Sequence, residues 1–320
     1  MTAPALRALA LVLAAAIGAA SAAHAAVTLR VGKASPTAAT MVPLVVGVQE
    51  GFFAKQGLEV QIFDFAGGAK LHQAMAAGSL DLGVGAGTDL ALIAKGSPEL
   101  AVANGAGLLT FIGMAVPKGS TARSLDDLKG ARIGVTTINS LTYWLALELA
   151  RQRGWGPDGV TPIAIGGDTA SEFASFRTHM VDAGILSTAL AFQMEAQGEG
   201  RLIAPASSWA GELGGSVVFA TRALIASNPD AIRHFLVGWF DAVRFMRANH
   251  DASVKIAAQM TGMPVAIEAR EFDLTLPMFN TDGHFDAAIL ATLKRSFSDL
   301  KLLDQPPDMS KLYTEEFLPK

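Results

Sequence analysis

Ala131-Arg132-Ile133-Gly134-Val135 decides the fold, because the chain makes the same move earlier, at Leu29-Arg30-Val31-Gly32. Each is a short apolar run with one arginine, and each has a glycine two residues after it, Gly134 and Gly32. A helical stretch follows in both places, Met41 to Phe53 after the first run and Ser140 to Arg153 after the second. These end at Gly51-Phe52-Phe53 and at Gly154-Trp155-Gly156. A second strand comes next and closes on paired glycines: Leu58 to Phe65 with Gly67-Gly68, then Ile163-Ala164-Ile165 with Gly166-Gly167. The third strand opens on an aspartate, Asp81-Leu82-Gly83-Val84 and again Asp182-Ala183-Gly184-Ile185. Matches that recur in one order predict two lobes of like design. Strands alternating with helices of this size predict βαβ units and a mostly parallel sheet in each lobe, flanked by helices.

The first lobe adds a helix from Ala69 to about Ala77, which Gly78 stops. The joint between lobes is expected near Ala115-Val116-Pro117-Lys118-Gly119. The segment from Val218 onward has no counterpart and reads as helical. Asn228-Pro229-Asp230 supplies an N-cap, a first-turn proline and an acid for a long helix to about Asn249. Another helix is expected from Phe285 to Leu303. Such helices would return to cover the first lobe. The expected domains are therefore 26–115 with 218–320, and 116–217, joined by hinge crossings near Val116-Pro117 and Val217-Phe219.

Residues 1–25 read as a secretory signal. Arg7 precedes an apolar run from Ala8 to Ala20, and Ala23-His24-Ala25 gives the small-x-small exit. The run is too short to span a bilayer core, which needs about 20 apolar residues. Export to the periplasm is expected, with cleavage after Ala25. Charged residues make up 17% of the chain and the net charge is −4, with no basic block. A nucleic-acid partner is disfavoured, since it would require clustered lysine and arginine. The absence of cysteine suits an oxidising compartment and removes disulfide and thiol chemistry.

Enzyme signatures are missing. No glycine run ends in Gly-Lys-Ser/Thr, and no Gly-x-Ser-x-Gly elbow occurs. Gly83-Val84-Gly85-Ala86-Gly87 has its third glycine out of place for a dinucleotide fingerprint, and no acid follows about 20 residues on. The histidines are scattered without metal-ligand spacing, so neither a cofactor nor a metal is expected. Binding chemistry is better represented, because small polar and glycine-rich turns sit at each expected strand exit. In parallel sheets ligands bind beyond the strand carboxyl ends, where helix N–H groups lack partners. The candidate ligand-binding residues are Ser35, Thr37, Gly67, Gly68, Thr88, Asn139, Ser140, Thr142, Asp168 and Ser187. Asn139-Ser140 stands out as the start of a long helix, and Trp209 is the tryptophan most suited to stacking on a ligand. Ordinary helix capping explains any one of these hydroxyls equally well.

Two longer stretches carry a family resemblance. Val46-Gly47-Val48-Gln49-Glu50-Gly51-Phe52-Phe53-Ala54-Lys55-Gln56-Gly57-Leu58-Glu59-Val60 resembles the opening of the nitrate/sulfonate/taurine-type solute-binding proteins. Ser124-Leu125-Asp126-Asp127-Leu128-Lys129-Gly130-Ala131-Arg132-Ile133-Gly134-Val135 resembles the start of their second lobe, and Gln73-Ala74-Met75-Ala76-Ala77-Gly78 fits as well. The resemblance implies a two-lobed periplasmic binding protein fold of class II with two hinge crossings. It also implies a monomer that delivers a small molecule to the permease and ATPase subunits of an inner-membrane ABC importer. The solute would be anionic or zwitterionic, such as a sulfonate, a taurine-like molecule or a carboxylate. No arginine occurs in the candidate turns, while Asp89 and Asp168 are placed to meet an amine. The alternatives on the same fold are a periplasmic sensor module and an enzyme similar to the pyrimidine-precursor synthases. The known synthase motif needs cysteines that this chain lacks.

Overall fold

The computed structural model describes residues 26–138, 140–167 and 169–320. The expected signal segment and the candidate residues Asn139 and Asp168 lie outside these. Strand β1 (Val27–Lys33) is flanked in parallel by β2 (Leu58–Asp64) and β3 (Leu82–Gly85). Two more strands complete the sheet, in the order β2-β1-β3-β10-β4, with β4 at Glu99–Leu108 and β10 at Glu212–Thr221. The second sheet repeats this plan as β7-β6-β8-β5-β9. Its strands are β5 (Ile112–Pro117), β6 (Arg132–Val135), β7 (Thr161–Ala164), β8 (Ala183–Ser187) and β9 (Gly200–Pro205). In each sheet four strands run one way. The fifth, β10 or β5, pairs antiparallel with both neighbours.

The sequence echoes turn out to be structural equivalents. Arg30 donates to Asp81 from its backbone N at 2.8 Å and its side chain at 2.8–3.0 Å. Arg132 makes the same set of bonds to Asp182, at 2.8–3.1 Å. The pair ties Arg30, midway along β1, and Arg132, the first residue of β6, to the residue just before the parallel neighbour. The side chains are partly exposed, so each pair fixes register more than it adds stability.

The chain crosses between sheets at residues 109–111 and 206–211, and the crossings bond to each other through Ala206 N to Ile112 O and Ser207 N to Leu109 O. These positions differ from the expected ones. Val116-Pro117 lies inside β5 of the second sheet, and Val217-Phe219 lies inside β10 of the first. The reason is that each crossing delivers the antiparallel strand, which has no signature of its own. The sequence therefore shows where a sheet resumes its parallel pattern, several residues beyond the true crossing.

Helices cover the sheets. In the first lobe they include α1 (Val42–Gln49), α2 (Phe52–Lys55), α3 (Gly68–Ala76) and α4 (Leu90–Ala94). In the second they are α5 (Leu141–Gln152), α6 (Thr169–Arg177) and α7 (Thr188–Ala196). After the single turn α8 (Ser207–Ala210) and β10 come α9 (Arg222–Ser227), α10 (Pro229–Ala248), α11 (His250–Thr261), α12 (Val265–Thr275) and α13 (Ala287–Asp299). Asn228 caps α10 by accepting from Ala231 N at 3.2 Å. Phe235, Leu236, Trp239, Phe240, Val243 and Met246 form one stripe of α10 at helical spacing and are fully buried on the first lobe. No helix among the described residues is long and apolar enough to cross a membrane.

Candidate functional site

Helices α12 and α13 reach from the first lobe onto helices of the second. On one flank Trp144 of α5 donates to Asp299 of α13 at 3.0 Å, and Arg295 of α13 donates to Glu148 of α5 at 2.9 Å. Burial works to raise the Glu148 pKa, but bonds from Arg151 and Gln152 and the charge of Arg295 hold it below the usual carboxylate range. On the other flank the Glu271 carboxylate of α12 meets the N-terminus of α7. It accepts from the Thr188 hydroxyl at 3.0 Å and from Ala189 N at 3.1 Å.

A cavity of about 300 Å³ lies beside this contact and is walled by both lobes. That is the small end of the range for small-molecule sites, ~300–1,000 Å³. The first lobe contributes Ser35, Thr37, Ala38 and Ala39 from the turn after β1, with Thr261, Met263 and Glu271 from the α11–α12 region. The second contributes Thr136, Gly167, Thr169, Glu172, Ser187, Ala189 and Leu190, and Phe111 stands in the crossing itself. A wider groove of about 700 Å³ runs along Pro117–Ala122, Lys129–Ala131 and Asp182. It belongs to the second lobe alone and lies at the start of β6 and β8, the wrong end of a parallel sheet for a ligand.

Of the candidates from sequence, Ser35, Thr37 and Ser187 line the interlobe cavity. Gly67, Gly68, Thr88, Ser140 and Thr142 do not. Ser140 caps α5: it accepts from Tyr143 N at 3.3 Å, donates to Thr137 O at 2.7 Å and meets Thr142 Oγ1 at 2.8 Å. Thr142 in turn accepts from Thr136 N at 2.8 Å. The turn satisfies itself. Gly68 instead lets α3 approach the loop after β3, since a Cβ there would stand 2.4 Å from Asp89 Oδ1, and Gly67 turns the chain into α3 at a φ of 102°. Asp89 is not turned to the cleft. It accepts from Ala86 N at 3.1 Å and stands 3.6 Å from His72 Nε2. His72 also contacts Glu99 at 2.5 Å, and both side chains are buried. Burial opposes the charged imidazole, but the two carboxylates outweigh it and raise its pKa to about 9. Trp209 is buried and donates to Leu145 O at 3.0 Å, a packing role.

The electrostatics of the cavity are acidic. None of its described lining residues is basic. Lys33, two residues before Ser35, is drawn away by Asp64 at 3.1 Å and by Pro36 O at 2.9 Å. Glu271 is 3% exposed and Glu268, one turn earlier, is 1% exposed. Burial first, then the charge of Glu268, raises the Glu271 pKa to about 7 against the pull of its two donors. Glu268 is raised as well, by burial, although it accepts from Thr261 at 2.8 Å. Sequence reading missed Glu172 and Glu271. Glu271 sits in a helix with no strand-exit turn and reaches the cleft only because α12 docks on α7.

A chain with two like α/β sheets, two crossings and a cavity walled by both lobes has the periplasmic binding protein fold. The chain belongs to the NMT1/THI5 like family, whose model matches residues 38–253. It is 28% identical over 217 residues to a protein of Brucella abortus (strain 2308) named only as a binding protein, covering 67% of this chain and 66% of that one. The matched segment thus spans just under two thirds of that relative's length. Among solved structures it is similar to the periplasmic aliphatic sulphonate binding protein SsuA from Escherichia coli, at TM-score 0.76 and 20% identity over 90% of this chain and 92% of that one. The alkanesulfonate-binding protein SsuA from Xanthomonas axonopodis pv. citri, bound to MOPS, matches at TM-score 0.70 and 22% identity over 90% and 98%. The desulfurization enzyme DszB shares the fold too, at TM-score 0.67 and 17% identity over 91% and 97%.

Proposed function

We propose that this is an exported solute-binding protein, which captures a small polar molecule between its lobes and hands it to the permease and ATPase of an ABC importer. The observation that carries this reading is the interlobe cavity, with hydroxyls from both lobes on its walls and lobes that meet through Glu271 and α7. Family membership and the likeness to binding proteins support it. In this reading the protein works as a monomer, hinged at 109–111 and 206–211, the segments that carry the described chain between the sheets. A sulfonate or carboxylate without a positive group fits poorly, since none of the described residues lining the cavity is basic. A zwitterion fits better.

Native mass spectrometry of the protein purified from its host tests the reading. A small molecule released stoichiometrically on denaturation is expected. An empty protein that also fails to bind any solute from a periplasmic extract would overturn it. N-terminal sequencing of the same material should begin at Ala26, and an intact Arg7 in a cytoplasmic fraction would remove export.

A further inference from the structure

The α7 N-terminus is where a parallel-sheet protein would ordinarily hold an anion, because its first N–H groups lack helical partners. Here the protein's own carboxylate takes that position, with Thr188 and Ala189 both donating to Glu271 Oε1. Oε2 of the same group has no donor among the described residues. Unlike Glu99 Oε2, it is not sealed off as an orphaned buried atom, and its residue lines the cavity. The opposing wall carries Glu172 in the first turn of α6, 7% exposed. Among the described residues no lysine, arginine or histidine lines the space between them. A buried carboxylate needs a donor or a counter-charge, and this fold leaves one oxygen to be supplied from within the cavity.

We infer that the captured solute carries a protonated nitrogen, an ammonium or amidinium group, met by Glu271 Oε2 with Glu172 on the wall of the second lobe; this rests on the solute-binding reading above. The group that sets specificity is then Glu271, and an amine-free sulfonate is disfavoured by a buried acid it cannot pair. Oε1 closes the lobes while Oε2 reads the solute, so one side chain couples recognition to closure.

The test uses matched probes that differ in one nitrogen: taurine against ethanesulfonate, 4-aminobutyrate against butyrate, and putrescine against 1,4-butanediol. Each is titrated calorimetrically into the purified protein and into Glu271→Gln, which keeps the Oε1 acceptor and the side-chain shape. At least one ammonium compound should bind at least about tenfold more tightly than its partner. That preference should fall by about ten- to a hundredfold in Glu271→Gln, the loss expected for a charge-assisted hydrogen bond. Unchanged melting of the unliganded variant near pH 5 shows that it folds, and Glu172→Gln provides a second substitution on the other wall. Ethanesulfonate or butyrate binding as tightly as its amine partner would overturn the ammonium assignment and leave the solute-binding reading standing. So would a preference that survives in Glu271→Gln. Failure of all six probes overturns the assignment as well, and the broader reading is then decided by the mass spectrometry of host-purified protein.

Discussion

A carboxyl that is 3% exposed and faces a second buried acid, as Glu271 does with Glu268, resists ionising. Its folded pKa, raised to about 7, lies above the ordinary 4.5, so the folded state holds the proton longer than the unfolded chain. Without solute, stability should therefore fall as pH rises from 4.5 to 7, and the loss is complete above that window. Glu271→Gln removes the effect. Its melting temperature should match the wild type near pH 5 and exceed it at pH 8, where the difference in unfolding free energy is on the order of 3 kcal/mol. Equal pH profiles for the two proteins would show that the carboxylate is not held neutral. His72 acts in the opposite sense at higher pH. Its imidazolium, raised to about 9 by Asp89 and Glu99, stabilises the first lobe fully below pH 6.5, and that stabilisation is lost as pH rises through 9. Calorimetric melting between pH 6 and 10 should fall across that range in the wild type. His72→Gln should be less stable at pH 7 by about 3 kcal/mol, because the buried Glu99 loses its partner. It should also lose the alkaline slope.

Among the elements, the strands that announce themselves are those with a helix after them and a glycine turn between. β1, β2, β3 and their counterparts β6, β7 and β8 were legible because apolar runs, glycines and the Arg30/Asp81 and Arg132/Asp182 echoes are local features. β4, β9 and the extent of β10 were not, since their pairing depends on a chain that has left one sheet and returned to it. The candidate site divides along the same line. Ser35, Thr37 and Ser187 sit at strand exits that the sequence marks, whereas Glu271 enters from a distant helix. Thr136 to Thr142 has the composition of a ligand turn, yet its hydroxyls bond to one another. Composition cannot tell a cap from an anchor. Ser140→Ala should accordingly lower stability by about 1 kcal/mol, the usual worth of an N-cap, and leave solute titration unchanged. A weakened titration with unchanged melting would return Ser140 to the binding site.

At the scale of the whole molecule the question is what keeps the lobes together around two crossings of three and six residues, 109–111 and 206–211. Two unlike contacts flank them. Around the α5–α13 contact Trp144, Leu145, Trp209, Ile289, Leu293 and Phe297 belong to one buried apolar cluster, and Asp299 and Arg295 bond to Trp144 and Glu148. The α7–α12 contact beside the cavity is carried by polar groups, Glu271 on Thr188 and Ala189, with Arg270 stacked 4.2 Å over Phe192 and paired to Glu195 at its rim. Rotation about a hinge releases the contact that costs least to expose. A carboxylate already raised to about 7 gains from hydration on opening, while the apolar cluster gains nothing. The lobes should thus part at α7–α12 and stay joined at α5–α13. Glu271→Ala removes the acceptor and leaves the Thr188 hydroxyl and Ala189 N–H without their partner. Small-angle scattering of this variant without solute should give a larger radius of gyration than the wild type. Glu271→Gln, which still accepts both bonds, should stay near the wild-type value, and Arg295→Ala should change it less than Glu271→Ala does. Expansion by Arg295→Ala alone would place the opening edge on the other flank, and scattering curves that coincide for all three would show that Glu271 does not hold the lobes.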